Sequence, residues 1–204
     1  MSAHSSHLSA PTSPNAAALA FNRVFGEILG CITETRLLFP PGIELLNKLY
    51  PLEFKDTKPA ALKMTSRTKP VISFGFRHEF KILADESNGL PAYRITTARY
   101  AYSVLDEFDR ELIVFHWVRT PSMNPSLKKF PHMHVNAAVT HRSARGVDTS
   151  LSVDSLHIPT GRISLEMVVR MLIEEFDVKP IKKNWERVLI RTASEFARRR
   201  SDPY

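Results

Sequence analysis

Cysteine occurs once in the 204 residues, at Cys31, glycine seven times and tryptophan twice. A single thiol excludes an internal disulfide and any zinc site built on cysteine. The glycine-dependent signatures G-x-x-x-x-G-K-[ST], G-x-G-x-x-G and G-x-S-x-G do not occur. P-loop nucleotide hydrolysis, dinucleotide oxidoreduction and α/β-hydrolase chemistry therefore have no support. No apolar run nears the roughly 18 residues that a membrane helix needs. The opening MSAHSSHLSAPTSP lacks the basic start and apolar stretch of a signal peptide, so a cytoplasmic protein with no membrane partner is expected. What remains, 43% hydrophobic and 24% charged residues, is ordinary globular composition.

Acidic residues number 21 against 28 Lys and Arg, for a net charge of +7. The excess is concentrated at the end of the chain, where residues 179–204 hold eight basic and three acidic side chains. Charge gathered on one element points to a polyanionic partner, either nucleic acid or an acidic protein. The plainer alternative is a solvated helix face with a basic tail.

Residues 1–14, with His4 and His7, are too polar to pack and read as a disordered tail. A helical region is expected over 15–66. Phe21, Val24, Phe25, Ile28, Leu29 and Ile32 make one continuous apolar stripe at helical spacing, with Asn15 as N-cap. Such a stripe needs a partner surface, which makes a homodimer through this helix a natural expectation. A short helix from Ile43 to Tyr50 and a loose connection from Lys55 to Lys69 follow.

From residue 67 the chain reads as an α+β domain. Val71 to Leu83, Tyr93 to Leu105, Glu111 to Arg119 and His132 to Thr140 show the two-residue period of strands. Turns at Asn88-Gly89 and Asp106–Arg110 make the first three a meander. A link from Thr120 to Pro131 and a long loop from Arg142 to Gly161 come next. Two helices close the chain, one capped by Ser164 and the other starting near Pro180. The expected fold is an antiparallel sheet of about four strands with N-terminal helices, and with the two C-terminal helices packed on one face.

The chemistry-bearing segment is Phe130-Pro131-His132-Met133-His134-Val135-Asn136. On a strand, His132, His134 and Asn136 share one face while Met133 and Val135 share the other. His116 either borders that face or is buried. Three readings stay open. The histidines are ordinary hydrogen-bonded strand residues; or they perform acid–base catalysis without metal or cofactor, since imidazole exchanges protons near neutrality; or His132 and His134, with His116 or His157, hold a metal ion. A two-metal nuclease needs clustered carboxylates, which these strands lack. Arg99 or Arg119 supplies a cation. His157 and Arg162 stand before a helix N-terminus, whose free N–H groups suit phosphate. Arg187, Arg191 and Arg198 form a stripe able to follow a nucleic-acid backbone. Cys31 reads as a helix residue rather than a nucleophile.

Tyr100-Ala101-Tyr102, the strand from Ile113 to Arg119, the Phe130–His134 segment and Ile163-Ser164-Leu165-Glu166 resemble the toxins of TumE-type toxin–antitoxin systems. The resemblance covers Arg99 to Phe176. It implies a small basic toxin or defence effector acting on RNA, an antitoxin partner, and a site holding His132 and His134 with Tyr100 and Tyr102 nearby. Two features depart from the family pattern. Pro121-Ser122-Met123 stands where an adjacent His-His pair is expected, and the N-terminal helical region is additional. The alternative to an enzyme is an interaction subunit that docks partners through its N- and C-terminal helices.

Overall fold

The computed structural model describes residues 11–40, 42–43, 45–56, 58–62, 71–85, 92–119, 130–136, 138–142, 148–152 and 156–199. Over these described residues it is an α+β fold with three helices and one large antiparallel sheet. The helices are α1 (Pro14–Leu29), α2 (Leu165–Glu174) and α3 (Trp185–Arg199).

The sheet has eight strands rather than about four. Four were hidden in segments read as helical, loose or looped. These are β1 (Leu37–Leu38), β2 (Tyr50–Phe54), β3 (Ala60–Leu62) and the later β10 (Ile158–Pro159). The others are β4 (Ile72–Asp85), β5 (Ala92–Leu105), β6 (Glu111–Val118) and β7 (His132–Val135), in the order β1-β2-β4-β5-β6-β7-β10 with β3 also on β4. The β4–β5–β6 meander is present, and its second turn is fixed by Asp106, whose carboxylate accepts the backbone N–H groups of Phe108 and Arg110. The Asn88-Gly89 turn and residues 120–129 lie outside the described residues.

Each departure from the expected elements has a local cause. The helix expected from Ile43 to Tyr50 is absent among the described residues. Asn47 takes φ 62, a left-handed conformation incompatible with a helix, and donates its N–H to the Ile82 carbonyl. Tyr50 then opens β2 opposite Phe80. The helix cap of α1 is Ser13, not Asn15: its hydroxyl accepts the Ala16 N–H at 3.1 Å, and Pro14 occupies the first turn, where its fixed φ costs nothing. Residues 11–14, placed in the tail by composition, belong to the folded chain, since the Pro11 carbonyl accepts the Tyr93 N–H; residues 1–10 lie outside the described residues. The strand expected from His132 to Thr140 divides in two. Asn136 donates to the Leu112 carbonyl, β6 begins one residue before Leu112, and the chain leaves to form β8 (Ala138–Arg142) with β9 (Asp148–Ser152).

The apolar stripe of α1 is buried on the chain's own sheet. The Phe21 ring lies 5.0 Å from that of Phe80, and the Phe25 ring 5.9 Å from that of Phe76. The stripe therefore has its partner surface and no longer calls for a second copy. Helices α2 and α3 pack against α1. Phe74, Phe76, His78, Phe80, Tyr100, Tyr102, Phe115 and Trp117 make this inner face, all buried. Their neighbours in sequence alternate onto the outer face.

Candidate functional site

The outer face gathers four histidines through strand register. His116 on β6 stands directly opposite His132 on β7, and Val114 opposite His134. Strand β10 pairs Ile158 with Met133 and Pro159 with His132. Continuing that antiparallel register by one residue sets His157 opposite His134. Ring centroids are 5.4 Å apart for His116–His132, 5.0 Å for His132–His134, 4.9 Å for His132–His157 and 4.4 Å for His134–His157.

His132 is the buried member at 3% exposure, covered edge-on by the Phe130 ring. Its Nδ1 lies 2.9 Å from the Phe130 carbonyl oxygen. That oxygen only accepts, so Nδ1 carries the hydrogen and Nε2 of the neutral ring keeps its lone pair. His116 and His134 are half-buried. Both line a cavity of about 400 Å³, together with Ala101, Glu111, Leu112, Val114 and Asn136. Burial, then the charges of His132, His134, Arg99 and His157, holds His116 below the usual imidazole pKa. His132, His134 and His157 offer ring nitrogens all within 4.8 Å of one another, the one group of metal-capable side chains among the described residues. It contains no carboxylate.

Beside the cluster, Glu79 is buried between two arginines. Arg99 donates to its carboxylate, and an Arg77 nitrogen lies 3.3 Å away. Two guanidinium groups on one carboxylate leave this trio with one positive charge in excess.

The other anticipated site residues are not part of this cluster. Tyr100 and Tyr102 lie on the inner face, because register pairs them with Trp117 and Phe115 rather than with His116. The Tyr100 hydroxyl accepts the Ile163 N–H, and that of Tyr102 meets His78 Nδ1 at 2.8 Å. They are core residues, not neighbours of the histidines. Arg162 stacks over Trp117 at 4.2 Å, on the inner side. His157 and Arg162 are thus on opposite sides of the sheet and do not form a common phosphate cradle. Arg119 donates to Thr96 Oγ1. On α3, Arg187 is exposed, whereas Arg191 is bound to both Glu27 and Glu195. The side chain of Arg198 lies outside the described residues. Cys31 is buried, its thiol donates to the Glu27 carbonyl, and burial raises its pKa, which keeps it a thiol.

Two features escaped the sequence reading. The Arg77–Glu79–Arg99 trio straddles β4 and β5, with no signal in either segment alone. His78 is a fully internal histidine in a strand whose even-numbered residues from Ile72 to Phe76 are all apolar; that alternation was the available sign. No family model matches the chain, and neither curated proteins nor solved structures give a match.

Proposed function

We propose that the chain cleaves RNA by imidazole acid–base catalysis, as a toxin or defence effector held in check by a partner protein. The observation that carries this is the shared cavity of His116 and His134 on an open sheet face. Two imidazoles flanking one cavity are what in-line attack by a 2′-hydroxyl requires, one to accept a proton and one to give it. His116, neutral by virtue of its burial, takes the 2′-hydroxyl proton. The 2′-oxygen bonds to phosphorus as the P–O5′ bond breaks, and protonated His134 delivers its proton to the departing 5′-oxygen. The products are a 2′,3′-cyclic phosphate and a 5′-hydroxyl end. His132, anchored on the Phe130 carbonyl, orients the cluster, and Arg99 supplies positive charge to the phosphate. Because the all-histidine cluster lacks the carboxylates that bind magnesium, it gives no support to two-magnesium hydrolysis. The resemblance to TumE-type toxins and the net charge of +7 support RNA as the polyanion.

The test is incubation of labelled single-stranded RNA with purified protein in excess EDTA, beside the same oligonucleotide with 2′-deoxyribose. Wild type should cut only the RNA and leave cyclic phosphate ends. Loss of cleavage in EDTA, or cleavage of the deoxy strand, overturns the reading.

A second reading, that of a docking subunit, draws on a different place. Leu38, Leu45 and Leu49 are exposed around a groove of about 560 Å³ beside β1 and β2. Exposed apolar surface of this kind fits a partner protein. It predicts a stable complex that survives loss of His116 and His134 together.

A further inference from the structure

We propose that His132, His134 and His157 form a binding site for one divalent transition-metal ion of the zinc class. The three ring nitrogens already lie within 4.8 Å of one another. Tetrahedral coordination at about 2.0–2.1 Å per bond needs donor separations of about 3.3 Å, so a bound ion would draw the three rings closer together. The backbone presents the donors from one side: His132 and His134 from alternate positions of β7, and His157 from the facing register position beside β10. His132 also shows the support that ligating imidazoles have. Its Nδ1–H is held by a backbone carbonyl, which leaves Nε2 as the nitrogen able to ligate.

The donor set fixes the class of ion. Three neutral nitrogens without a carboxylate suit zinc, copper, nickel or iron(II), and do not suit the oxygen-seeking magnesium or calcium. Three protein ligands leave a coordination position open. His116 faces His132 across the strand pair but is not a member of the set. One consequence rests on the RNA-cleaving reading above. An ion on His134 occupies the nitrogen that would deliver a proton to the leaving oxygen, so the loaded protein should not cleave.

Metal-stripped full-length protein would be titrated with zinc chloride against a chromophoric chelator, and separately with cobalt(II) while following its d–d absorption. Wild type should take one equivalent with tetrahedral-type cobalt bands. His157→Ala should weaken binding by more than the roughly 10–100-fold that loss of a supporting residue costs. His132→Ala should do the same where circular dichroism shows it folded, and His116→Ala should bind as wild type. Failure of the wild type to take up an equivalent, or wild-type binding by His157→Ala, overturns the site. RNA cleavage by zinc-loaded protein, without chelator, at the rate seen for metal-free protein in EDTA overturns the link to His134. Absence of any cleavage by wild type would sink the RNA-cleaving reading, while the titration still decides the metal site.

Discussion

His78 Nδ1 and the Tyr102 hydroxyl lie 2.8 Å apart in the middle of the inner face, and the other ring nitrogen of His78 reaches Thr97 Oγ1 at 3.2 Å. The rings of Phe25 and Phe76 lie 4.7 and 6.4 Å from the same imidazole. An imidazole satisfied at both nitrogens and enclosed by aromatic carbon stays neutral. Burial pushes its pKa down to about 3 and that of Tyr102 well up.

This gives the fold an acid-side weakness. Between pH 6.5 and about 3, unfolded chains bind a proton at residue 78 that folded chains refuse, so stability rises with pH across that window and falls on acidification. The full span corresponds to about 5 kcal/mol. Urea titrations at pH 7 and pH 4.5 should show wild type losing about 2–3 kcal/mol more than His78→Gln over the same interval. Equal losses in the two proteins would refute the assignment.

Replacing His116 or His134 by Ala should each lower RNA cleavage by about 10²–10⁴-fold. The double variant should be scarcely worse than either single one, because the two act as a unit. Both are half-buried, so the melting temperature should move little. Full cleavage by His134→Ala contradicts its role.

The arginines of α3 should separate in an RNA-binding assay. Arg187→Ala should weaken binding uniformly across sequences and flatten the salt dependence by about one unit of slope. Arg191→Ala should leave that slope unchanged and cost under about 1 kcal/mol of stability, because its guanidinium is committed to Glu27 and Glu195. Equal slope changes in the two variants would show that Arg191 is available to phosphate.

On the outer face Gly75 stands opposite Ser103, and a Cβ there would lie 2.3 Å from the serine Oγ. Gly75→Ala should therefore be less favourable in wild type than in a Ser103→Ala background, by roughly 0.5–1 kcal/mol in a double-mutant cycle. Additive behaviour would mean that the hydroxyl swings clear at no cost.

The parts of this fold that could be read from the chain are those with a long, clean period. The α1 stripe, the 14-residue strands β4 and β5, the Ser164 cap and the alternation of His132 and His134 with Met133 and Val135 all belong here. Strand β2 was obscured by Pro51, although Tyr50, Leu52 and Phe54 alternate with Pro51 and Glu53 and all three are buried. The misplacement of Tyr100 and Tyr102 has a different origin. Alternation puts them on one face but cannot say which face of the neighbouring strand that face continues; only the pairing of Tyr100 with Trp117 decides it. His157 was legible as a residue type but not as a neighbour of His134, because a two-residue strand has no period.

That two-residue strand sets how the histidine cluster comes apart. β10 ends the strand order of the sheet, and Pro159, paired with His132, has no N–H to give the ladder. His157 is thus carried by a short clasp whose release breaks, among the described residues, the Ile158–Met133 pairing, the Thr160 N–H bond to the Pro131 carbonyl and the ring contacts of His157 with His132 and His134. Opening of the clasp parts His157 from His134 while β4, β5 and α1 stay folded, a sub-global event far cheaper than unfolding. In amide hydrogen exchange the Thr160 N–H should trade with solvent through this opening while the centre of β5 is still protected, and any ion that bridges the two strands should slow it.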